Sequence, residues 1–271
     1  MIFVCGHGPV QAGALTAESF TTAMLAAGGS ELQEFWLAHD AAQFRTMGTG
    51  VATLIGQKSA INATQATGSK QPTMEAGGAS NGRDQLHFAK ASNQWLATPS
   101  SFTVAKTERW GVLLIGKFHT AVVSGTQEIA MVLRNDANGN LVMVTRGLTT
   151  TLIQARMFYD DGGAGVAENI QLSATDILTA RAFGSFLSSP HKGYLNGTTT
   201  DGAETAGASA RADTTDEMIV FGAGDVAASP AVPANVDLWC AAVFEMSGTD
   251  APSGLAAMIA LARTYYDEAG L

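Results

Sequence analysis

Paired carboxylates are the first chemistry to look for in this chain, because glycoside hydrolases use one as an acid and a second as a base or nucleophile. Two such groups on one strand must occupy alternate positions in order to face the same cleft. Glu128 is isolated, and Asp160-Asp161 and Asp216-Glu217 are adjacent pairs whose members point to opposite faces. We interpret both pairs as solvated loop ends, and we predict no catalytic residue and no enzyme activity.

Metal-ligating side chains also lack a recognisable spacing. The five histidines lie at positions 7, 39, 87, 119 and 191, and neither cysteine has a ligand near it in sequence, so no zinc site is predicted. Asp136, Asn138 and Asn140 begin like a calcium loop, but its twelfth position is Gly147, and the Asn-Gly pair also suits a tight hairpin. We predict no metal and no cofactor, and we interpret His87 as a hydrogen-bonded sandwich residue.

Tryptophan side chains can stack on sugar rings when they are exposed. The four tryptophans, at positions 36, 95, 110 and 239, all lie in apolar runs, so we predict that they pack in the core. No serine lies in a Gly-x-Ser-x-Gly turn, and no glycine-rich phosphate loop precedes a helix. Neither a nucleophile nor a nucleotide site is therefore predicted, and the ligand-binding residues stay unassigned.

Composition restricts the partners. The chain carries 15 basic and 24 acidic side chains, a net charge of −9, with no basic cluster, which argues against nucleic acid. Charged residues make up only 14 % of the chain, so small polar side chains and alanine must cover much of the surface. With 46 % hydrophobic residues among 271, the chain can bury a sizeable core, and we expect one large domain with decorated ends.

The beginning of the chain, MIFVCGHGPV, has no charged segment before its short apolar run. We therefore predict no signal peptide and no membrane span, and expect a soluble protein that is not exported by the general secretory route. Cys5 and Cys240 lie at opposite ends of the sequence, and a disulfide between them is left open. The simpler interpretation of Cys240, within the apolar run LWCAAVF, is a buried thiol.

Two segments carry the signals of short amphipathic helices. From Thr16, the sequence TAESFTTAMLAAGG has a capping residue, apolar positions at Phe20 and Met24, and a Gly-Gly stop. Near the other end, DAPSGLAAMIALARTYYDEAGL has Asp250 as a candidate cap and Pro252 in the first turn. Both patterns predict helices with one apolar face.

Almost everything between these helices is predicted to be strand or loop. The strand segments that we predict are 50–56, 84–89, 94–98, 109–118, 127–135, 140–147, 150–159, 176–184, 192–198, 216–224 and 237–246. Their spacing, without interleaved helices, predicts a mainly β fold: a two-sheet antiparallel jelly-roll sandwich with a short helix near each terminus. The predicted core residues are Leu86, Phe88, Leu113, Ile115, Ile129, Met131, Ile219, Phe221 and Val243. We interpret the polar part of segment 62–98, ahead of the strand Leu86 to Phe88, as a long loop that crosses one edge of the sandwich without evident chemistry.

A family resemblance rests on this segment and its neighbours. The chain resembles the concanavalin A-like (laminin-G-like) jelly-roll domains found in tailed-phage structural proteins and bacterial surface proteins. The pieces that match are Trp36-Leu37-Ala38, Asn62 to Gln65, Gln71-Pro72-Thr73, Asn81-Gly82-Arg83, Leu86-His87-Phe88, the later runs GYLNGTTTDG and MIVFGAG, and the closing strand with its helix. The chain departs from the pattern at Ala38-His39-Asp40, where the usual acidic position is displaced, and at Ala89-Lys90, where an Asp-Gly is common.

The resemblance implies a jelly-roll domain over residues 34–271, including the C-terminal helix. Residues 1–33 would be an N-terminal strand and helix extension, which we predict to anchor the subunit to other chains and to be dispensable for folding. The alternative is that the first residues add an edge strand and the helix covers an open end of the sandwich.

The leading functional hypothesis is a non-enzymatic virion structural protein of a tailed phage, such as a capsid decoration, head-fibre or tail-associated subunit. Its partners would be major capsid or tail proteins and copies of itself, and it would reside in the virion after synthesis in the host cytoplasm. The alternative is a carbohydrate-binding module that recognises a host surface glycan, and a glycan hydrolase is the third reading.

Overall fold

The computed structural model describes residues 15–38, 44–47, 50–104, 109–118, 127–135, 139–146, 153–159, 166–171, 180–186, 191–201, 214–226, 232–247 and 250–271. Within these ranges the chain forms helices α1 (Ala17–Gly28) and α2 (Leu255–Tyr266) and eighteen strands. The strands are β1 (Leu32–Leu37), β2 (Phe44–Met47), β3 (Gly50–Leu54), β4 (Ala63–Thr64), β5 (Thr73–Glu75), β6 (Gln85–Phe88), β7 (Leu96–Ala97), β8 (Phe102–Val104), β9 (Arg109–Phe118), β10 (Glu128–Asn135), β11 (Gly139–Arg146), β12 (Ile153–Tyr159), β13 (Val166–Gln171), β14 (Arg181–Phe186), β15 (Lys192–Leu195), β16 (Thr198–Asp201), β17 (Thr214–Phe221) and β18 (Val236–Met246).

The strands form two layers. The first contains β16, β15, β14, β9 and β18 in that order, and β1 and β6 share the other side of β18. The second contains β13, β12, β11, β10 and β17, with β7 and β8 alongside β17. Short strands connect the layers, since β5 pairs with β6, β4 pairs with β7, and β3 pairs with both β4 and β5. Every one of these pairings is antiparallel, so the predicted mainly β sandwich is confirmed.

The central core lies between the layers and takes Leu114 and Phe183 from the first and Leu133 and Val142 from the second. All nine predicted core residues are buried, at most 2 % exposed, and six of them belong to this core. Leu113 and Ile115 instead face the outer side of the first layer, and Ile129 faces the outer side of the second. The cause is the alternation of side chains along each strand, which distributes a continuous apolar run over two separate clusters.

Helices α1 and α2 cover the outer face of the first layer. The Thr16 hydroxyl accepts a hydrogen bond from the backbone N–H of Ser19 at 3.1 Å, so the predicted start of α1 is confirmed. Phe20 is fully buried, and its ring stacks on that of Tyr265 in α2, with centroids 4.0 Å apart. A Cβ at Gly254 would collide with the carbonyl of Ala27, so glycine is what permits the two helices to meet there.

The start of α2 differs from the prediction. The helix begins at Leu255, with Gly254 in the N-cap position, and the Pro252 carbonyl accepts a bond from the Leu255 N–H at 3.0 Å ahead of it. Asp250 is an exposed residue whose carboxylate lies 3.3 Å from the Lys192 ammonium. The prediction that Asp250 caps the helix is therefore wrong, because the chain makes a turn between this residue and the first helical one.

The apolar face of the N-terminal helix packs against other parts of the same chain. Phe20 and Met24 are both fully buried against α2 and the first layer. The helix packs on the outer face of the first layer rather than at an open end of the sandwich, and its role as an assembly anchor stays a prediction. The expected edge strand at the beginning of the chain lies outside the described residues, and the domain boundary at residue 33 stays a prediction. No helix in the described ranges is long and apolar enough to span a membrane.

Candidate functional site

An open groove lies where the long polar segment meets the second layer. It has a volume of 700 Å³ and is lined by residues 60–62, 64–66, 95 and 97–101 together with Met218 and Val226. These residues come from the chain around β4, from β7 and the turn after it, and from β17 and its continuation. Segments more than a hundred residues apart in sequence therefore form one concave surface, which is the usual shape of a small-ligand site.

Strand pairing holds the segments of the groove in place. Ala97 pairs with Thr64 of β4 on one side and with Val220 of β17 on the other. Beyond the strand, the N–H of Thr98 donates to the Ile219 carbonyl at 3.0 Å, and the Ile219 N–H donates to the Thr98 hydroxyl at 2.9 Å. The groove is thus built on the sheet rather than on an unsupported loop.

Trp95 is the aromatic residue of the groove. Its backbone N–H donates to the Lys70 carbonyl at 3.1 Å, and its half-buried indole packs against the apolar cluster on the outer face of the second layer. The other three tryptophans are at most 3 % exposed, as predicted, but the prediction that Trp95 lies in the core is wrong. It comes just before the two-residue strand β7, and its side chain lines the groove and packs on the outer cluster of the second layer rather than between the layers.

Two nitrogen donors beside the groove have no hydrogen-bond partner among the described residues. They are Nε1 of Trp95 and Nε2 of Gln65, a residue that is only 5 % exposed. The Gln65 Oε1 is already used, because it accepts from the Thr67 N–H at 2.9 Å. A buried donor without an acceptor costs about 1–3 kcal/mol, so each of these groups gains from an acceptor that a ligand brings.

A buried carboxylate, that of Glu34, binds the backbone of the turn that forms one rim of the groove. Glu34 is fully buried and accepts hydrogen bonds from the backbone N–H groups of Lys58, Ser59 and Ile61 at 2.6, 2.9 and 3.0 Å. The indole N–H of Trp36 donates to the Ile61 carbonyl at 2.9 Å. These hydrogen bonds fix the backbone of the turn that leads into the groove lining, so the shape of this rim does not depend on a ligand.

A second polar cluster lies on the outer face of the first layer. Asp237 of β18 is fully buried, and its carboxylate lies 2.8 Å from His87 Nδ1 and 3.4 Å from the Lys117 ammonium. The residues meet because β6 and β9 flank β18 at this register. The hydrogen bond to Asp237 raises the pKa of His87 above its ordinary value. The interpretation of His87 as a hydrogen-bonded sandwich residue is confirmed.

Glu75 joins this cluster: its carboxylate, the His87 ring and the Asp237 carboxylate place one ligand atom each within 4.8 Å of one another. One imidazole and two carboxylates are a donor set that a divalent cation can use. The Lys117 ammonium already neutralises part of the Asp237 charge, however, and Gln85 donates to Glu75 at 2.7 Å. The three residues therefore lie in a network of ion pairs and hydrogen bonds with Lys117 and Gln85.

A serine and a histidine also meet in the first layer. Ser185 Oγ and His191 Nε2 are 3.1 Å apart, the distance of a nucleophile and its base. Both side chains are fully buried, and burial lowers the pKa of His191 to about 3. A substrate has no path to this pair in the folded chain, and neither residue lines the groove.

The remaining candidates from the sequence fall in several places. Glu128 is 2 % exposed and lies 3.2 Å from the Lys90 ammonium. Glu217 is also 2 % exposed and lies within β17, so its interpretation as a solvated loop end is wrong. Cys240 is a free buried thiol, as interpreted, and burial raises its pKa to about 12. Residues outside the described ranges are Cys5, His7, His39, His119, Asp136, Asn138, Gly147, Asp160 and Asp161.

No family model and no curated protein matches the chain. Among solved structures, the binding domain of botulinum neurotoxin serotype C1 is similar, with 10 % identity and a TM-score of 0.52 over 87 % of this chain and 53 % of that one. The binding domain of Paraclostridial Mosquitocidal Protein 1 has 10 % identity and a TM-score of 0.52 over 85 % of this chain and 52 % of its own. A botulinum neurotoxin DC binding domain in complex with SialylT has 8 % identity and a TM-score of 0.51 over 87 % and 52 %.

The chain spans about half the length of these structures. At such low identity the likeness shows the fold alone. It defines the class as an all-β protein with a jelly-roll-like sandwich, similar in fold to these binding domains. The concanavalin A-like resemblance is thereby supported at the level of the fold.

Proposed function

We propose that this chain is a non-enzymatic glycan-binding domain and that the groove is its binding site. The observation that carries the proposal is the half-buried Trp95 in an open groove lined by amide and hydroxyl side chains, among them Asn62, Thr98 and Ser101. A sugar ring offers an apolar C–H face that stacks on an aromatic ring and hydroxyl groups that pair with amides and hydroxyls. The groove presents both kinds of surface together.

The chemistry of the lining favours binding over hydrolysis. No carboxylate lines the groove in the part of the chain that the structure describes, whereas glycosidases flank the scissile bond with two. A neighbour in fold, the binding domain of botulinum neurotoxin DC, was determined in complex with SialylT. A ligand-binding role for a sandwich of this shape is in keeping with that complex.

Of the hypotheses drawn from the sequence, the groove favours glycan recognition over a purely structural role. Contacts with capsid or tail proteins stay a prediction, as does a place in a virion. The two ideas are compatible, because a subunit anchored to a particle can present a groove to a host surface. The binding proposal concerns the groove alone and needs no assumption about the particle.

A glycan array followed by titration calorimetry on the purified chain tests the proposal. We expect Trp95→Ala to weaken the binding of the best glycan by roughly tenfold or more, equivalent to about 1.4 kcal/mol. Ala66→Arg, at an exposed position of the lining, should block the groove without disturbing the core. Thr199→Ala, exposed on β16, is the control that should bind normally.

Thermal melts decide whether each variant is folded. The proposal is wrong if no glycan on the array binds the wild-type chain. It is also wrong if folded Ala66→Arg and Trp95→Ala both bind as tightly as the wild type. Release of reducing sugar from a bound glycan would show that the chain is an enzyme.

A further inference from the structure

We infer that the groove selects uncharged sugars that carry an N-acetyl group, and that it discriminates against acidic glycans. The inference rests on the proposed function, because it names the class of glycan that the same groove takes. Three properties of the described lining support it: its lack of charge, the type of its unpaired polar atoms and its apolar surface.

The first property concerns charge. None of the described residues that line the groove is charged, although the chain as a whole carries a net charge of −9. Sites for carboxylates use arginine or lysine, whose N–H groups form charge-assisted hydrogen bonds with the anion. An acidic sugar in this groove would lose water without gaining a cationic partner, and the net negative charge would disfavour its approach.

The second property concerns the unpaired atoms. Both orphaned polar atoms at the groove, Nε1 of Trp95 and Nε2 of Gln65, are donors. They belong to residues on two different segments of the lining, one before β7 and one after β4. These donors need acceptors, and an acetamido group offers one in its carbonyl oxygen, which accepts hydrogen bonds but carries no hydrogen of its own. A sugar hydroxyl also accepts, and both its O–H and the N–H of an acetamido group need an acceptor in turn, so the acetamido group differs from the hydroxyl chiefly by its methyl group.

The third property concerns the apolar lining. Ala97 and Met218 are almost fully buried on neighbouring strands, at 7 % exposure each, and Pro99 and Val226 lie beside them in the lining. A hexose has no methyl group with which to contact such a surface, whereas an acetamido group has one. The same substituent therefore serves the unpaired donors with its carbonyl and the apolar lining with its methyl group.

Matched sugars separate this inference from the proposed function. Triacetylchitotriose and cellotriose share their linkage and differ in the acetamido groups, and N-acetylgalactosamine and galactose form a second pair. We expect at least one N-acetylated member to bind tenfold or more tightly than its partner in calorimetry. 3′-Sialyllactose and its neutral methyl ester test charge, because both carry the same N-acetyl group, and the free acid should bind no better than the ester.

Variants at Gln65 test the role of the donor. Gln65→Glu keeps the shape and the acceptor for Thr67 but removes the N–H, and Gln65→Met removes it without adding a charge. Both should reduce the N-acetyl preference to less than threefold, with folding checked by thermal melts. The inference is overturned if neither pair prefers its N-acetylated member or if the free acid of 3′-sialyllactose binds more tightly than its methyl ester. If the array shows no glycan binding at all, the proposed function itself fails.

Discussion

On the helix-covered face of the sandwich, the buried carboxylate of Glu31 is saturated with hydrogen bonds. One oxygen accepts from the N–H and hydroxyl of Ser247 at 2.9 and 2.7 Å, and the other accepts from the same groups of Ser253 at 2.7 Å each. Beside the groove, Trp95 Nε1 and Gln65 Nε2 are buried with no partner among the described residues. The chain therefore saturates the Glu31 carboxylate on the helix-covered face, whereas two donors beside the groove have no partner among the described residues.

Under the proposed function, this difference in hydrogen bonding distinguishes the helix-covered face, which stabilises the fold, from the groove, which binds the ligand. Glu31 ties the residues before β1 to the end of β18 and to the turn before α2, and apolar rings from both helices fill the space between them. An unsatisfied donor lowers the stability of the folded chain. Under the proposed function, it favours binding where a ligand supplies the acceptor. Four predictions test this contrast, from the largest expected effect to the smallest.

The helix-covered region should respond most strongly to a lost ring. Phe20→Ala removes a fully buried side chain that stacks on Tyr265, and we expect it to lower the free energy of unfolding by about 3–5 kcal/mol. Urea unfolding followed by circular dichroism measures this. Thr22→Ala, exposed on the same helix, is the control and should change it by about 0.5 kcal/mol or less. A neutral Phe20→Ala would mean that α1 is the dispensable extension expected from the sequence.

The saturated carboxylate should give the next largest effect. Glu31→Gln keeps the shape of the side chain but replaces the charged carboxylate with a neutral amide. The hydrogen bonds to the amide oxygen become weaker, and the amide NH2 group faces the N–H donor of the other serine. We expect a loss of about 1–3 kcal/mol in the free energy of unfolding at pH 7. Glycan binding should be unchanged, because Glu31 does not line the groove. An equal loss of stability and affinity would show that the two regions are not separate.

The stabilisation by Glu31 should depend on pH. Burial raises its pKa, but hydrogen bonds from Ser247 and Ser253 outweigh this and lower the pKa from 4.5 to about 2. A lowered pKa means that the contribution is present above pH 4.5 and is lost as the pH falls toward 2. The difference in unfolding free energy between wild type and Glu31→Gln should therefore be largest near neutral pH. It should become smaller as the pH falls below 4.5. A difference that stays constant from pH 7 to pH 3 would contradict this.

The groove should show the smallest effect on stability. Gln65→Met removes an unpaired donor together with one bond from Thr67, and these changes oppose each other. We expect the free energy of unfolding to change by about 1 kcal/mol or less, although binding of N-acetylated sugar falls. A loss as large as that of Phe20→Ala would mean that Gln65 is a structural residue like Glu31 and not part of a binding site.

Local sequence patterns predicted most of the elements. Thr16 and the spacing of Phe20 and Met24 give α1 within a residue of its start, and each predicted strand segment overlaps a strand. The signals suffice because helix caps and strand alternation depend on neighbouring residues. Seven of the described strands have no predicted segment of their own: β1, β2, β4, β5, β8, β13 and β16. Strands of two to four residues, such as β4 and β16, contain too few positions for a period to show.

The candidate site could not be predicted in the same way. Sequence reasoning regarded the polar part of segment 62–98 as a loop without chemistry and Trp95 as a core residue, yet both help form the groove. Its other side comes from Met218 and Val226, which are brought there by the pairing of β7 with β17. The one available signal was a tryptophan next to a polar, proline-containing stretch, and that signal does not say which side of the indole is covered.

The sequence by itself determined most of the elements, the class of fold and the burial of the nine predicted core residues, because apolar periodicity acts over a few neighbouring positions. Only the tertiary structure decided which cluster each of them joined, as Leu113 and Leu114 on opposite faces of β9 illustrate. It also decided that Glu31 would be saturated by serines more than two hundred residues away and that Gln65 would keep an unused donor. Hydrogen-bond partners across strands are set by register, and register is a property of the assembled sheets.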